Sequence, residues 1–310
     1  MLMQEKIPTN VIIKSSYLFT KDLLKPRYIY SIIDQIMDYI HQNPNSYENL
    51  EIEAKLGRFE FKGDSVKAFE KINEIFIIPE SIKPSTPGNK YLFNAGILQK
   101  DFFLIWSALD KESKLIGSNI NSIKPQIYQD IIYNTNKRRS LMIEDGQPIR
   151  EEIIRKENKK NINIRNGGYD FRITCSEEKP TEIDENQDIK VNERDKFRIS
   201  YQMSFYRVDL TISKESNKEE YGYEIEIELN KLKSELDKKK KIDENKIRTI
   251  LDRFIQNIMN LYSVLMPGAI YNNLLHEEQL NYDLNYNKHL NPTEVQSRYG
   301  NYFKNNLCQK

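Results

Sequence analysis

The sequence contains few of the residues on which disulfide-rich folds and thiolate or imidazole metal sites depend. Only Cys175 and Cys308 occur among its 310 residues, without CxxC spacing, and there are three histidines. This scarcity argues against a disulfide framework and against a zinc site built from Cys and His. It is also typical of a protein in a reducing compartment.

The chain also lacks a long apolar run and an excess of either charge. No stretch approaches the eighteen or so apolar residues that cross a bilayer, and MLMQEKIPTN has no signal-peptide pattern. We therefore expect an intracellular protein that does not act in a membrane. With 47 Lys+Arg against 46 Asp+Glu, binding of a polyanion would need basic side chains that cluster locally. The sequence shows no Walker, GxGxxG or GxSxG motif.

The hydrophobic periodicity predicts helices and one strand before Gln126, and a series of strands followed by a helix after it. Apolar residues recur at helical spacing from Arg27 to His41, Ser65 to Ile77 and Asp243 to Leu265, and FNAGILQKDFFLIWSAL reads as a turn that leads into a helix. The run LEIEAKLGRFEF alternates as a strand does. From Gln126 onward seven short strand-like segments follow as a meander: IYQDIIYN, KRRSLMIE, REEIIRK, YDFRITCS, DKFRISYQ, YRVDLTIS and YEIEIELN.

Together these segments predict an α+β fold, a closed antiparallel eight-stranded β-barrel with flanking α-helices. Eight strands is the number at which such a sheet closes around a packed interior or a small ligand. The helices would pack outside the sheet. The stretch after Pro267 is rich in Asn and Tyr and has little periodicity.

Two of the predicted strands carry carboxylates on one face. Because residues two apart in a strand share a face, Glu224, Glu226 and Glu228 project together, and their apolar neighbours project the opposite way. Glu51 and Glu53 repeat this arrangement in the first strand. One such strand alone is more often a half-buried strand with a solvated face, and a second matching strand weakens that interpretation.

Other strands present cations with the same period of two: Arg194, Lys196 and Arg198 in one, Arg207 beside Asp209 in the next, and Arg172 beside Asp170 in a third. If the barrel closes with its apolar faces outward, these groups meet the carboxylates inside it. Burying so many charges is costly unless they pair or hold ligands. A metal ion with a phosphate chain would satisfy both signs, and a structural lattice of salt bridges is the alternative.

The acidic and basic side chains suit different ligands. Carboxylate oxygens suit hard divalent ions such as Mg²⁺ or Mn²⁺, and Arg and Lys suit phosphate oxygens. Such a site would polarise a terminal phosphate and stabilise the charge on the departing diphosphate. Hydrolysis then requires only a positioned water.

At this point the motifs resemble a known family. LEIEAKLG, NERDKFRISY, YRVDLT and YEIEIELN stand in that order, with FNAGI and YDFRITCSEEKP as weaker support. In this combination the chain resembles the fungal and protozoan RNA 5′-triphosphatases of messenger RNA capping, which are triphosphate tunnel metalloenzymes, over roughly residues 27 to 265. The resemblance implies a catalytic domain at 27–270, an N-terminal extension at 1–26 and a polar C-terminal tail at 271–310.

The resemblance also implies roles for residues of the four main motifs. Glu51, Glu53 and Glu228 would bind the metal, Mg²⁺ or Mn²⁺. The catalytic Glu226 would act on it through water, and Glu224 would hold a neighbouring basic group. Lys196 and Arg198 would be catalytic and would bind the terminal phosphate, with Arg194 nearby as a further phosphate-binding residue. Arg207 would pair with Asp209 to keep the barrel wall ordered.

Weaker matches add five residues from strands whose connecting loops differ in length. They are the supporting Asp130, the phosphate-binding Arg139, Lys156 and Arg172, and the catalytic Glu178, which would orient the attacking water. Two of these assignments keep an alternative. Arg138 competes with Arg139, and Glu177 competes with Glu178.

The implied function is removal of the γ-phosphate from triphosphate-ended RNA, with hydrolysis of nucleoside triphosphates when manganese is present. The expected partners are triphosphate RNA, a separate guanylyltransferase and a second copy of the chain, in the nucleus. Three alternatives stay open. The tunnel could act on inorganic tripolyphosphate or another small triphosphate, could bind polyphosphate or RNA without catalysis, or could serve as a scaffold through its tail.

Overall fold

The structure is a computed structural model. It describes residues 26–44, 47–62, 76–78, 90–114, 118, 120–166, 168–203, 205–230, 232, 236 and 243–265. The predicted N-terminal extension lies outside these residues except for its last residue, and the predicted tail lies outside them entirely. The proposed domain boundaries therefore stay a prediction.

Three α-helices and a short 3-10 helix lie in the described part of the chain: α1 (Pro26–Gln42), the 3-10 turn Tyr47–Asn49, α2 (Gln99–Ser113) and α3 (Glu244–Val264). Helix α1 begins at a proline, which the first turn accepts because its amide is not needed there. These α-helices confirm three of the predicted ones. None of the described helices is long and apolar enough to span a membrane.

Ten strands form one sheet. Their bounds are β1 (Leu50–Lys62), β2 (Phe76–Ile77), β3 (Lys90–Ala95), β4 (Asn121–Tyr133), β5 (Lys137–Glu144), β6 (Gln147–Arg165), β7 (Asp170–Pro180), β8 (Lys190–Gln202), β9 (Tyr206–Glu215) and β10 (Gly222–Leu229).

Eight of these strands close into a barrel. Around the ring the order is β1, β7, β6, β5, β4, β8, β9 and β10, and β10 returns to β1 through pairs such as Ala54 with Ile227. The predicted closed antiparallel eight-stranded barrel is confirmed. Strands β2 and β3 lie outside the ring, where β2 pairs with β6 and β3 pairs with the second half of β1.

The structure corrects three details of the sequence interpretation. The predicted meander is interrupted, because β8 pairs with β4 rather than with β7. Phe76–Ile77 form a strand, not the end of a helix, and residues 65–75 of that predicted helix lie outside the described part. The stretch before α2 contains β3, which packs tightly on β1: a side chain at Gly57 would meet the Asn94 carbonyl oxygen at 2.3 Å.

The two faces of the barrel differ in character. Outward-pointing residues such as Ile225 and Ile227, each 1 % exposed, pack with the helices into one hydrophobic core. Aromatic side chains of α2 contact this layer, since Phe102 lies 5.4 Å from the ring of Tyr223. A salt bridge of 2.7 Å from Arg248 to Asp34 joins α3 to α1. Polar side chains are consequently left to fill the interior of the barrel.

Candidate active site

The carboxylates predicted from β1 and β10 lie inside the barrel. Glu53 is the register partner of Glu228, so the two strands bring their acids side by side. Lys156 of β6 reaches across to Glu51 at 2.5 Å and to Glu53 at 3.4 Å. Both β1 glutamates are buried. The three strands β1, β6 and β10 thus share one polar cavity.

The three predicted metal ligands are held by basic groups. In addition to Lys156 on the β1 glutamates, the Arg207 guanidinium lies 2.5 Å from Glu228. Among the described residues, no three Asp, Glu, His or Cys side chains stand close enough together to form a ready metal cluster. Burial raises the pKa of Glu228, which Arg207 opposes and Glu51 reinforces. Neighbouring carboxylates that destabilise each other's charge are a donor set that fits a hard divalent cation.

Glu226 lies between cations from two other strands, β1 and β8. Its carboxylate is 2.7 Å from the ammonium of Lys55 and 3.4 Å from the guanidinium of Arg198. Burial by itself would raise the pKa of Glu226, but Lys55 and Arg198 lower it well below its ordinary value. The carboxylate is therefore ionised at neutral pH and can accept hydrogen bonds.

Strand β8 presents three of its cations, Arg194, Lys196 and Arg198, to the cavity, each against a carboxylate. Asp130 receives Lys196 at 2.6 Å and Arg194 at 3.3 Å. Arg194 also approaches Glu224 at 3.6 Å, so the contact expected of Glu224 is present. The third of these cations, Arg198, lies 3.2 Å from Asp209 and contacts Glu226 as described above.

The pKa values of both Asp130 and Lys196 lie below their ordinary values. Burial would raise the pKa of Asp130, but Lys196, Arg138 and Arg194 lower it to about 2. Burial lowers the pKa of Lys196 to about 8; Asp130 opposes this, and Arg198 and the other guanidinium groups add to it. Lys196 is 5 % exposed. It is a cation whose charge depends on pH near neutrality.

Asp209 organises the wall beneath these cations. Arg207 donates to both of its oxygens, at 2.9 and 3.0 Å. The hydroxyl of Ser200 donates to the same carboxylate at 2.6 Å. This two-pronged pairing is the arrangement expected for Arg207 and Asp209, and such a pair fixes both side chains.

Strand β5 reverses one expectation. Arg138 points into the cavity and lies 3.5 Å from Glu178. Arg139 points outward and pairs with Glu151 at 2.7 Å. The choice of Arg139 as the phosphate-binding residue is therefore wrong in position, because successive residues of a strand face opposite sides and only Arg138 shares the inner face.

Glu178 is the inner member of the Glu177–Glu178 pair. It lies 3.4 Å from Lys156 and 3.5 Å from Arg138. Glu177 points outward and contacts Lys179 at 2.9 Å. The structure thus favours Glu178, and not Glu177, as the carboxylate available to a water in the cavity.

Arg172 of β7 also lies on the inner face, as the register partner of Lys55. Its Nε donates to Asn163 at 2.7 Å, and its guanidinium lies 4.6 Å from the ring centre of Phe93. Burial lowers the pKa of Arg172. Asn163 and the ring hold the guanidinium plane, and neither supplies a negative charge.

Sequence reasoning missed several inner residues. Lys55 shares the face of Glu51 and Glu53 in LEIEAK, and that period of two could have identified it. Tyr128 of β4 lies under two cations, with its ring centre 5.6 Å from Lys196 and 5.8 Å from Arg198. No charge pattern in the sequence marks this tyrosine.

With this geometry in place, comparison with known proteins decides the family. A model of the family described as "mRNA capping enzyme, beta chain" matches residues 28–265. The chain belongs to this family. The resemblance to the capping RNA 5′-triphosphatases is confirmed. Among curated proteins, none matches the chain.

Solved structures give the same fold. The RNA triphosphatase Pct1 of S. pombe aligns with 77% of this chain and 93% of its own, with a TM-score of 0.60 and 20% identity. A second structure, of Pct1 in complex with the Spt5 CTD, aligns with 77% of this chain and 94% of its own at the same score and identity. At that identity the likeness concerns the triphosphate tunnel fold, and membership of the family rests on the family model.

Proposed function

We propose that this member of the capping family removes the γ-phosphate from the 5′-triphosphate end of nascent messenger RNA, the first step of cap formation. One observation carries the proposal. Carboxylates of β1 and β10 and cations of β8 share one enclosed cavity, linked by Glu226, which contacts both Lys55 and Arg198. A pure anion receptor gains nothing from buried glutamates unless a cation lies between them and the anion.

The residues divide the chemistry by charge. Lys196 and Arg198 bind oxygens of the terminal phosphate, and Arg138 approaches it from β5 in place of Arg139. Glu178 accepts a hydrogen bond from the attacking water and orients it. Mg²⁺ or Mn²⁺ held by Glu51, Glu53 and Glu228 would supply the Lewis-acid charge that offsets the developing negative charge.

Two basic side chains are paired with the glutamates that we propose as metal ligands, so a metal ion would have to replace them as counter-charge. Lys156 and Arg207 neutralise the proposed metal ligands when no other cation is bound. With Mg²⁺ or Mn²⁺ held by these glutamates, Lys156 would no longer serve as their counter-charge and would be available to phosphate oxygens, while Arg207 would keep its pairing with Asp209. The protein thus keeps its buried carboxylates paired in either state.

The same grip on three phosphates supports hydrolysis of free nucleoside triphosphates with manganese. It also fits inorganic tripolyphosphate, because none of the contacts above recognises a base or ribose. We further propose a separate guanylyltransferase as partner, a possible homodimer and a nuclear location, which follow from a role in capping.

The test is phosphate release from triphosphate-ended RNA with manganese. Glu51→Gln and Glu228→Gln should each lower the rate at least about tenfold, the usual scale for damage to a metal site. The matched control is Glu151→Gln on the outer face, which should retain wild-type activity. Equal rates for all three variants would remove the metal-site assignment.

A further inference from the structure

Strand β6 contains an irregularity that lies directly beside the cavity. Its register with β7 is broken between Glu157, opposite Glu177, and Lys160, opposite Cys175. Two residues of β6 therefore face one residue of β7, which is a β-bulge. Asn158 within it has φ of 49°, a left-handed conformation that Asn tolerates better than most residues.

The bulge is fixed on the outside of the barrel. The Asn158 side chain donates a hydrogen bond of 2.7 Å to Glu177, which also contacts Lys179 at 2.9 Å. Glu177 is 2 % exposed, so these partners hold a buried carboxylate. The outward-facing glutamate of the Glu177–Glu178 pair thus has a positioning role.

The extra residue determines which lysine faces the cavity. Asn161 lies on the inner face, where it accepts a hydrogen bond of 3.0 Å from Thr174. Lys159 precedes it by two residues and shares that face. The adjacent Lys160 points outward with its register partner Cys175. Bulges beside active sites commonly re-aim one side chain in this way.

The surroundings of Lys159 are mostly cationic. Its side chain is exposed to solvent, yet nearby protein atoms desolvate the ammonium in part, and this lowers its pKa. Glu53 opposes the shift, and Lys55, Lys156 and Arg172 reinforce it. Lys159 forms no ion pair with any described carboxylate.

Two opposite walls of the barrel therefore differ. The three cations that β8 presents to the cavity all contact carboxylates. Neither Lys159 on β6 nor Arg172 on β7, across the ring from β8 and β9, forms an ion pair with a carboxylate of the described residues. Glu53 is the one carboxylate that offsets the charge of Lys159, and it is itself paired with Lys55 and Lys156. An ammonium and a guanidinium close together with so little counter-charge favour binding of an anion at that point.

We propose that Lys159 is a substrate-binding residue. With Arg172 it holds phosphate oxygens on the side of the triphosphate chain that faces away from β8. This rests on the proposed function only for the identity of the substrate, because the ligand chemistry is that of any linear chain of phosphates. A chain gripped from two walls is fixed in orientation more firmly than one held by β8 alone.

The experiment compares neighbouring lysines in the full-length protein. Lys159→Met should weaken binding of inorganic tripolyphosphate, measured by calorimetry, by about ten- to a hundredfold, the usual effect of losing one charge-assisted hydrogen bond. Lys160→Met should stay within about twofold of wild type, and Lys159→Arg should recover most of the affinity. Equal affinities for Lys159→Met and Lys160→Met would overturn the proposal.

Two further readouts separate the possible failures. The Tm of Lys159→Met should be no lower than that of the wild type, because the substitution removes one of several mutually repelling cations. A clear drop would indicate a structural role instead and overturn the proposal. If the wild type binds tripolyphosphate but releases no phosphate from RNA, the proposed function fails, and Lys159 is still judged by the affinities.

Discussion

The inner and outer faces of the same barrel strands are built by opposite rules. On β10, Ile225 and Ile227 point outward into the core and are each 1 % exposed. The intervening Glu226 points inward and contacts two cations. One strand therefore carries stability on one face and chemistry on the other, with a change of role at every residue.

On these strands, adjacent residues of identical chemistry have different roles. Arg138 contacts Glu178 in the cavity, and Arg139 pairs with Glu151 outside it. Lys159 and Lys160 divide in the same way across the bulge. Each pair provides a matched test in which residue type and position along the chain are almost constant.

The largest difference between an effect on stability and an effect on catalysis is expected on β10. Ile227→Ala removes buried methyl groups and should cost about 2 to 5 kcal/mol of unfolding free energy, or roughly 5 to 15 °C in Tm. Glu226→Gln leaves the buried Lys55 and Arg198 without their shared carboxylate and so also lowers Tm, but it should in addition lower kcat of the folded protein about a hundredfold, since it removes a charge that orders two cations. Thermal unfolding and phosphate-release kinetics measure the two effects.

If both substitutions on β10 lowered stability and left the remaining activity of the folded protein intact, the division between the faces would be wrong. The same would follow if Ile227→Ala abolished activity without lowering Tm.

A smaller effect is expected on β5. Arg138→Met should raise KM or lower kcat for triphosphate-ended RNA by about tenfold or more, because it removes a guanidinium from the cavity. Arg139→Met loses only a solvent-exposed ion pair, worth less than about 1 kcal/mol. Steady-state kinetics of both variants would decide between them, and a larger loss for Arg139→Met would contradict the assigned faces.

The smallest effect is a dependence on pH. Because the pKa of Lys196 is lowered to about 8, kcat/KM should fall roughly tenfold between pH 7 and pH 9 as this cation loses its proton. Lys196→Arg should flatten that fall. Cys175 on the outer face stays protonated over this range, since burial raises its pKa to about 12.

The pH dependence of stability distinguishes the expected fall in kcat/KM from simple unfolding at high pH. The folded-state pKa of Lys196 lies below its ordinary value. Burial of the charged ammonium therefore lowers the free energy of unfolding below about pH 8, and this destabilisation decreases as the pH rises. Lys196 therefore predicts no loss of stability at pH 9. A fall in Tm parallel to the fall in rate would contradict the assignment.

Much of this could be predicted from the sequence. Strand alternation placed Glu51, Glu53, Glu226 and Glu228 on inner faces, and the number of strands predicted closure. Both follow from local rules, because the period of two applies within each strand whatever its neighbours are. The order of four motifs was sufficient to suggest the family.

Other features depend on contacts that no local pattern encodes. In KRRS both candidates are arginines, so the sequence does not show which of them faces the cavity. The contacts with Glu178 inside the barrel and Glu151 outside it decide this. The bulge at Asn158 reverses the phase within β6, which hides Lys159 from any fixed period. The pairing of β8 with β4 is a long-range choice as well.

Central to all of this is one cavity that uses acids and bases together to cleave a triphosphate. The most direct measurement is phosphate release from triphosphate-ended RNA by the wild-type chain, with Mg²⁺ or Mn²⁺ and again with excess chelator. We predict steady phosphate release with the divalent ion and almost none with the chelator. Equal release in both conditions, or no release in either, would contradict it.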